Sequence, residues 1–518
     1  MTIYKSGYRD TPLRDVSITE ALFEGLAISG TGPAMIDGPS GAVMSGAELE
    51  KRIRALAGGL NARGIGPGDV IAIMAPNVSD YATAFHGVAF AGATVTTLNP
   101  TYTAEEAAHQ LRDSGAQMLI TVPPFAELAQ KAGQAAGVSE IVMIGVSGAG
   151  GLDALFGPPL TAQVPVDLVK DPVVLPYSSG TTGLPKGVML SHRNLVVNVD
   201  QCVDVIDIQP GDVTLGFLPF FHIYGMTVLM NLYLARGAAV VTMPRFDLEQ
   251  FLSLCQTHKP RKLYIAPPVA LALAKHPMVD QFDLSSLEYI VSGAAPLGGD
   301  VADAVAARLG CEMVQAYGMT EMSPVSHITP QGRNVPGAVG QTIGATECRI
   351  VDAETGADAL QDAEGELWVR GPQVMLGYLN RPEATAETLL PEGWLRTGDV
   401  GRFDGNGTLF ITDRVKELIK VKGFQVAPAE LEAVLLSHDG ISDAAVIGIP
   451  DAEAGERPMA FVVRVQEDLD EAAVIAHADA HLAHYKQLAR VAFVEAVPKS
   501  ASGKILRRLL RDQVAAEG

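Results

Sequence analysis

The sequence predicts an α/β protein of two unequal domains. A large N-terminal domain of α/β sheets plus a β-rich subdomain is hinged to a small α+β C-terminal domain. Three observations point there. The chain has 518 residues, more than the roughly 250–300 that a single hydrophobic core supports, so at least two domains are expected. From Ser45 onward helix-like and strand-like stretches alternate, which indicates a sheet with helices on its faces. From about Gly337 the texture shifts to short strands and turns, and beyond a charged crossing the last part, about 100 residues, has the length of one small domain.

In order, the first stretch reads as a helix through Leu60, the strand Val70-Ile71-Ala72-Ile73-Met74, a helix through Phe90, a strand near Val95, a helix from Ala104, and Met118-Leu119-Ile120. A second alternating stretch contains Ala238-Ala239-Val240-Val241-Thr242-Met243 and Leu287-Glu288-Tyr289-Ile290-Val291. The β-rich texture is carried by Cys348-Arg349-Ile350-Val351, Gly365-Glu366-Leu367-Trp368-Val369-Arg370-Gly371 and Gly407-Thr408-Leu409-Phe410-Ile411. The crossing is Asp413-Arg414-Val415-Lys416-Glu417-Leu418-Ile419-Lys420, dividing residues 1–415 from 416–518. In the tail a helix is expected from Ala429, then the strands Ala444-Ala445-Val446-Ile447-Gly448-Ile449 and Ala460-Phe461-Val462-Val463-Arg464. A final amphipathic helix is expected to carry Ile505, Leu506, Leu509 and Leu510 on one side.

Hydrophobic residues make up 48% of the chain, ample for two cores. The 38 Lys+Arg against 59 Asp+Glu give a net charge of −21, which disfavours nonspecific binding to nucleic acid or anionic membranes. A polyanionic ligand must then be met by local cations. The four cysteines (Cys202, Cys255, Cys311, Cys348) are scattered without metal-ligand or disulfide spacing, as expected of reduced thiols in a cytoplasmic protein. No apolar run reaches the roughly 20 residues of a membrane span, and neither terminus carries a targeting pattern.

The richest string is Pro176-Tyr177-Ser178-Ser179-Gly180-Thr181-Thr182-Gly183-Leu184-Pro185-Lys186-Gly187, a loop between apolar runs. Gly180 and Gly183 free the backbone so that its N–H groups can approach an anion, while Ser178, Ser179, Thr181, Thr182 and Lys186 add donors. It lacks the Gly-Lys-Ser/Thr ending of a Walker A loop. Other strings follow. Leu218-Pro219-Phe220-Phe221-His222-Ile223-Tyr224-Gly225 places one histidine among aromatics, and Ser292-Gly293-Ala294-Ala295-Pro296-Leu297 forms a small-residue turn with room for a flat ring. In Gln315-Ala316-Tyr317-Gly318-Met319-Thr320-Glu321, Tyr317 can stack on a purine, Thr320 can donate to phosphate and Glu321 can hold a hard cation. Trp394-Leu395-Arg396-Thr397-Gly398-Asp399 offers a carboxylate on a turn, and Pro498-Lys499-Ser500-Ala501-Ser502-Gly503-Lys504 offers a lysine before the last helix.

Taken in order, these strings resemble the motifs of the adenylate-forming superfamily, and most closely the 4-coumarate-CoA ligases and their acyl-CoA synthetase relatives, from about Ser45 to Arg511. The resemblance implies carboxylate plus ATP giving acyl-adenylate and pyrophosphate, then thiol attack giving acyl-CoA and AMP, with ATP, magnesium and coenzyme A required. It implies nucleotide contacts from the phosphate loop and Lys186, from Gly293, Ala294, Ala295, Gln315, Tyr317, Gly318 and Thr320, from Asp399 to the ribose, and from Arg414. Glu321 is implied as metal ligand, and His222 as positioning the carboxylate and gating thiol entry. Lys504 is implied as the catalytic cation of adenylation, where a pentavalent α-phosphate gathers negative charge. Lys420 and Gln425 are implied to serve thioester formation, with Lys422, Gly423 and Phe424 against coenzyme A and Lys416 as the pivot. Tyr224, Gly225, Val228, Ala316, Pro324 and Val325 are implied to frame the acyl pocket, on an aryl-propenoic acid or a medium-chain fatty acid.

Other readings share parts of this pattern. A peptide-synthetase adenylation domain would be followed by a carrier, and 14 residues after Lys504 leave no room for one. A luciferase-type oxygenase shares the motifs, and a non-catalytic nucleotide binder would not require Lys504, Glu321 and Lys186 together.

Overall fold

The structure, a computed structural model, describes residues 2–8, 10–178, 185–352, 355–422, 424–451, 453–465, 468–500 and 503–517. Three sheets build its larger part. A seven-stranded sheet runs in the spatial order Gly377–Tyr378, Lys186–Ser191, Pro172–Ser178, Thr94–Thr97, Val70–Met74, Ala116–Thr121, Glu140–Met143. Its central strands are parallel and joined by the helices Asp80–Phe90 and Ala104–Ser114, as the alternating pattern predicts. Thr103 caps the second helix and forms a reciprocal capping box with Glu106. Gly115 ends it at φ +69°, where a glycine avoids the cost of a β-carbon.

A ten-stranded sheet contains the parallel strands Lys262–Ile265, Tyr289–Ser292 and Glu312–Gly318, and turns antiparallel from Val325–Ile328 onward. The short strands after Gly337 (Gly340–Thr342, Glu347–Val351, Gly365–Arg370, Leu395–Phe403 and Thr408–Arg414) extend this same sheet. A four-stranded sheet pairs Val213–Gly216, Ala239–Thr242, Pro33–Asp37 and Val43–Ser45. One continuous apolar cluster, from Ile18 to Leu409, joins the faces of these sheets.

The smaller part has its own five-stranded sheet (Phe424–Val426, Ile419–Val421, Gly455–Arg464, Ile441–Asp451 and Arg490–Phe493) with separate cores around Leu431 and Phe461. The expected helix from Ala429 is Pro428–Leu436, with proline at the first helical position, where its missing N–H costs nothing. The last helix departs from expectation. It begins at Arg507, so Ile505 and Leu506 precede it. Leu510 is buried against Ala445, Ile447, Met459 and Phe461, while Leu509 is exposed. The helix is held by ions as well: Arg507 makes two bonds to Glu432 (2.7 and 2.8 Å) and Arg511 pairs with Glu417. Among the described residues no helix is long and apolar enough to cross a membrane.

Candidate active site

The parallel strands of the two large sheets deliver their C-terminal ends to one crevice, the place where open α/β sheets bind ligands. Ser178 ends the Pro172–Ser178 strand of one sheet, and Glu321 lies in the turn Thr320–Met322 that follows the Glu312–Gly318 strand of the other. They meet: Ser178 Oγ donates to Glu321 Oε1 at 3.1 Å. Tyr378, absent from the sequence-derived set, donates its hydroxyl to the same oxygen at 2.9 Å. Its ring carries the Lys186 ammonium 4.2 Å from the centroid. Ser179, Gly180, Thr181, Thr182 and Gly183 lie outside the described residues, as does Gly423.

Tyr317 and Asp399 form the next cluster. The Tyr317 hydroxyl donates to Asp399 Oδ2 at 2.5 Å, and Arg414 Nε donates to Asp399 Oδ1 at 3.0 Å, across the neighbouring strands Leu395–Phe403 and Thr408–Arg414. Burial first, and then the Asp399 charge, raise the Tyr317 phenol well above its ordinary range, so it is a hydrogen-bond donor at every physiological pH. Asp399 in turn holds the Arg414 guanidinium above its usual value. Each Asp399 oxygen keeps a further lone pair, which is what two ribose hydroxyls require.

Lys504 enters from the smaller part. The Lys499–Ile505 bridge closes a lysine-bearing turn, in which Ser500 Oγ accepts the Lys504 N–H at 3.1 Å. At Gly503 (φ +86°) a β-carbon would stand 3.4 Å from Ala266 Cβ, so the turn lies against the larger part. Burial depresses the Lys504 pKa, the Arg414 charge adds to the depression, and Glu321 and Asp399 oppose it. The ammonium is therefore within electrostatic reach of both carboxylate clusters. His222 feels the same charge. Burial chiefly, and Lys504 secondarily, push its imidazole down to about 3, so it is neutral at physiological pH. Its Nδ1 accepts the Tyr224 N–H at 3.3 Å.

The sequence assigns a further set of residues to an acyl pocket. The Tyr224 ring covers Gly293, where a β-carbon would approach its atoms to 3.2 Å, and Ala294 follows at φ +75°, a left-handed conformation that is costly for a non-glycine residue. Gln315 Oε1 accepts the Leu297 N–H at 2.9 Å, so its carbonyl oxygen holds this turn; Ala295 and Ala316 beside it are half-buried. Val228 is buried in a wide helical turn, Gly225–Asn231, of the π type that often marks functional sites. Gly225 and Gly318 have a packing duty. A β-carbon would fall 2.3 Å from the Pro219 carbonyl at the first and 2.1 Å from the Pro324 carbonyl at the second. Asn198, also absent from the sequence-derived set, fixes Val325 by accepting its N–H (3.1 Å) and donating to its carbonyl (2.8 Å). Buried asparagines give no sequence signal that separates such a brace from an ordinary core residue, and the isolated Gly377-Tyr378 pair gives little more.

The remaining residues of the sequence-derived set lie elsewhere. Lys420, Lys422, Phe424 and Gln425 are exposed on the hairpin formed by Ile419–Val421 and Phe424–Val426, where Phe424 stacks on Tyr485 at 4.6 Å. Lys416 is exposed in the turn between Thr408–Arg414 and this hairpin. The larger and smaller parts also enclose a cleft of about 240 Å³, between Pro267, Pro296 and Leu297 on one side and Ala433, Val434 and Lys499 on the other. Among the described residues no group of three or more His, Cys, Asp or Glu could hold a metal ion.

Known proteins share this architecture and these sequences. Residues 28–379 match the model of the AMP-binding enzymes, and residues 430–504 that of the AMP-binding enzyme C-terminal domain. The chain is 44% identical to 4-coumarate--CoA ligase 1 of Solanum tuberosum over 95% of its own length and 93% of the relative's. It is 40% identical to 4-coumarate--CoA ligase 5 of Oryza sativa subsp. japonica over 99% and 98%. Among solved structures, an anthranilate CoA ligase in complex with anthranoyl-AMP superposes with a TM-score of 0.90 at 26% identity, covering 98% of this chain and 99% of that one. ATP-bound MatB from Rhodopseudomonas palustris does so with 0.87 at 30%, covering 96% and 99%. The chain belongs to the AMP-binding enzyme family, in both its large domain and its C-terminal domain.

Proposed function

We propose that the protein, an AMP-forming acid–CoA ligase, acts on an aryl-propenoic acid of the cinnamate and 4-coumarate type. The observation that carries the reaction is the packing of the Lys504 turn against the larger part at Gly503, where the charges of Glu321, Asp399 and Arg414 all act on the lysine. In the first half-reaction a carboxylate oxygen attacks the α-phosphorus of ATP, an acyl–phosphate bond forms, and pyrophosphate leaves with the electron pair of the broken P–O bond. Two anions must approach one another. Lys504 offsets that repulsion and the charge that gathers on the α-phosphate. Neutral His222 can orient the acid without adding a charge. Asp399 accepts from the ribose, Tyr317 supplies a ring face for the adenine, and Lys186 reaches the outer phosphates. In the second half-reaction the coenzyme A thiolate attacks the acyl carbon and AMP departs. Lys416, as pivot, lets the hairpin bearing Lys420 and Gln425 replace the Lys504 turn, with Lys422, Gly423 and Phe424 along the thiol route.

A magnesium ion fits this site through Glu321. A single buried carboxylate suits a cation that takes most of its other oxygens from phosphates and water. When bound, it would neutralise charge on the phosphate oxygens of ATP.

For the acid, the supporting observations are the Tyr224 ring over Gly293, the small side chains of Ala294 and Ala316, and the apolar Pro324 and Val325, which together would frame a flat slot. Two relatives that match nearly the whole chain are 4-coumarate--CoA ligases. Val228 cannot pair with a ring hydroxyl, and this favours medium-chain fatty acids as the second reading. An unpaired buried hydroxyl costs roughly 1–3 kcal/mol, about tenfold or more in specificity. Cinnamate is therefore expected to equal or exceed 4-coumarate in kcat/KM, and Val228→Ser to move the ratio toward 4-coumarate. A panel of acids assayed with ATP and coenzyme A tests this. A wild-type preference for 4-coumarate of about tenfold or more would overturn the pocket assignment, and turnover of fatty acids alone would replace the aryl-propenoic reading.

A further inference from the structure

Tyr378 touches two of the residues assigned to the nucleotide phosphates, Glu321 and Lys186. Its hydroxyl and Ser178 Oγ both donate to Glu321 Oε1, at 2.9 and 3.1 Å. Among the described residues no hydrogen-bond donor is recorded on Glu321 Oε2. One carboxylate oxygen is thus held by two neutral donors, while the other has no donor among the described residues. On the ring of the same tyrosine rests the Lys186 ammonium, at 4.2 Å. The backbone reinforces the connection. Met375 N donates to the Glu321 carbonyl (2.9 Å), and Leu376 N and Leu379 N donate to the Met189 and Gly187 carbonyls (2.9 and 2.8 Å). The short segment from Met375 to Leu379 therefore ties the Glu321 turn of the ten-stranded sheet to the Lys186 strand of the seven-stranded one.

We propose that Tyr378 is a positioning residue that sets Glu321 and Lys186 as a pair: its hydroxyl turns the free Glu321 oxygen toward a divalent cation on the nucleotide, and its ring aims the lysine at the outer phosphates. A neutral donor is suited to this. It fixes the carboxylate without cancelling the charge that attracts the cation, whereas a lysine or arginine there would compete with it.

The inference rests on the magnesium reading of Glu321, and the test separates the two. ATP binding to the full-length protein is measured by calorimetry at increasing Mg2+, and Mn2+ binding with ATP by electron paramagnetic resonance. Tyr378→Phe keeps the ring and removes the donor. Loss of a hydrogen bond to a charged group predicts that the half-saturating metal concentration rises about tenfold. At saturating Mg2+, kcat should return to within about twofold to threefold of wild type, with the KM for the acid unchanged. Tyr378→Leu removes the ring as well, and ATP binding should weaken by a further factor of about three to ten that Mg2+ does not restore. Ser178→Ala, which leaves Tyr378 intact, should shift the metal dependence in the same direction and by less, and serves if the tyrosine variants misfold. Wild-type metal dependence in Tyr378→Phe, or a uniform loss that no Mg2+ concentration repairs, overturns the proposal. Equal ATP binding by the Phe and Leu variants at saturating Mg2+ removes the Lys186 half of it. If the wild type itself binds ATP equally with and without metal, the magnesium reading fails first and this inference with it.

Discussion

Lys504 and Lys420 belong to the same C-terminal part and sit in opposite settings. Lys504 feels the charges of Arg414, Glu321 and Asp399, and burial lowers its pKa. The Lys420 side chain is exposed on a hairpin whose neighbours Lys422, Phe424 and Gln425 are exposed as well. One face of the part is engaged and the other is free. The difference teaches that a family of residues assigned to one active site need not converge in one arrangement. Two sets on a common body can take turns only if the body turns, and the connection at Lys416 is the pivot proposed for that turn.

Removing the engaged lysine should separate the two sets most strongly. Lys504→Ala is expected to slow pyrophosphate exchange by on the order of 10²–10³, the usual loss for a preorganised charge in a transition state. Acyl-adenylate supplied with coenzyme A should still give thioester at close to the wild-type rate. Equal losses in both half-reactions would mean that the two lysines serve one arrangement.

Freezing the connection should give the converse, with a smaller effect. Among the described residues no acceptor is recorded for the Lys416 N–H, so Lys416→Pro breaks no observed bond and acts by fixing φ. Thioester formation is expected to fall about tenfold or more, while pyrophosphate exchange stays within about twofold. Loss of exchange with the fold intact would show that the turn shapes the engaged face rather than the exchange of faces.

The gentlest contrast is in pH. A lysine whose pKa is lowered by burial loses its charge earlier as pH rises, so adenylation should decline through that lowered pKa, by about tenfold per unit above it. On the proposed assignment the second half-reaction uses a thiolate and not Lys504, and its rate should rise over the same range. Stopped-flow or quench measurements of each half-reaction against pH distinguish them; parallel alkaline declines would contradict the assignment.

Much of this architecture was legible from periodicity and caps. The strand Val70–Met74 and the helices Asp80–Phe90 and Ala104–Ser114 stand where the alternation places them, because local signals such as Thr103, Glu106 and Gly115 decide their ends. Contacts between distant segments were not legible. Nothing local announces that Tyr378 reaches Glu321, 57 positions away, or that Asn198 braces Val325. Gly225 and Gly318 illustrate a subtler limit. Glycine beside a pocket reads as space for a ligand, yet at these two positions a neighbouring carbonyl takes the space. At the C-terminal helix, helical periodicity assigned Leu509 to the buried side, but the helix begins only at Arg507 and its orientation is set by Leu510 and the arginines.

Those arginines make the Lys504 turn portable. Arg507 is anchored to Glu432 and the Val446 carbonyl, and Arg511 to Glu417, so these anchors lie on the C-terminal side of Lys416. The Arg507–Glu432 pair is deeply enough placed to be little screened by salt. The aim of the lysine is thus inherited with its own module. Bonds such as Ala429 N to Asp413 Oδ2 and Lys275 Nζ to the Leu436 carbonyl cross between the parts, and these are what a graft of residues 416–518 onto another member of the family would have to match. If the roles proposed for the two parts hold, recombination between such enzymes is expected to exchange the acid recognised and keep a working lysine.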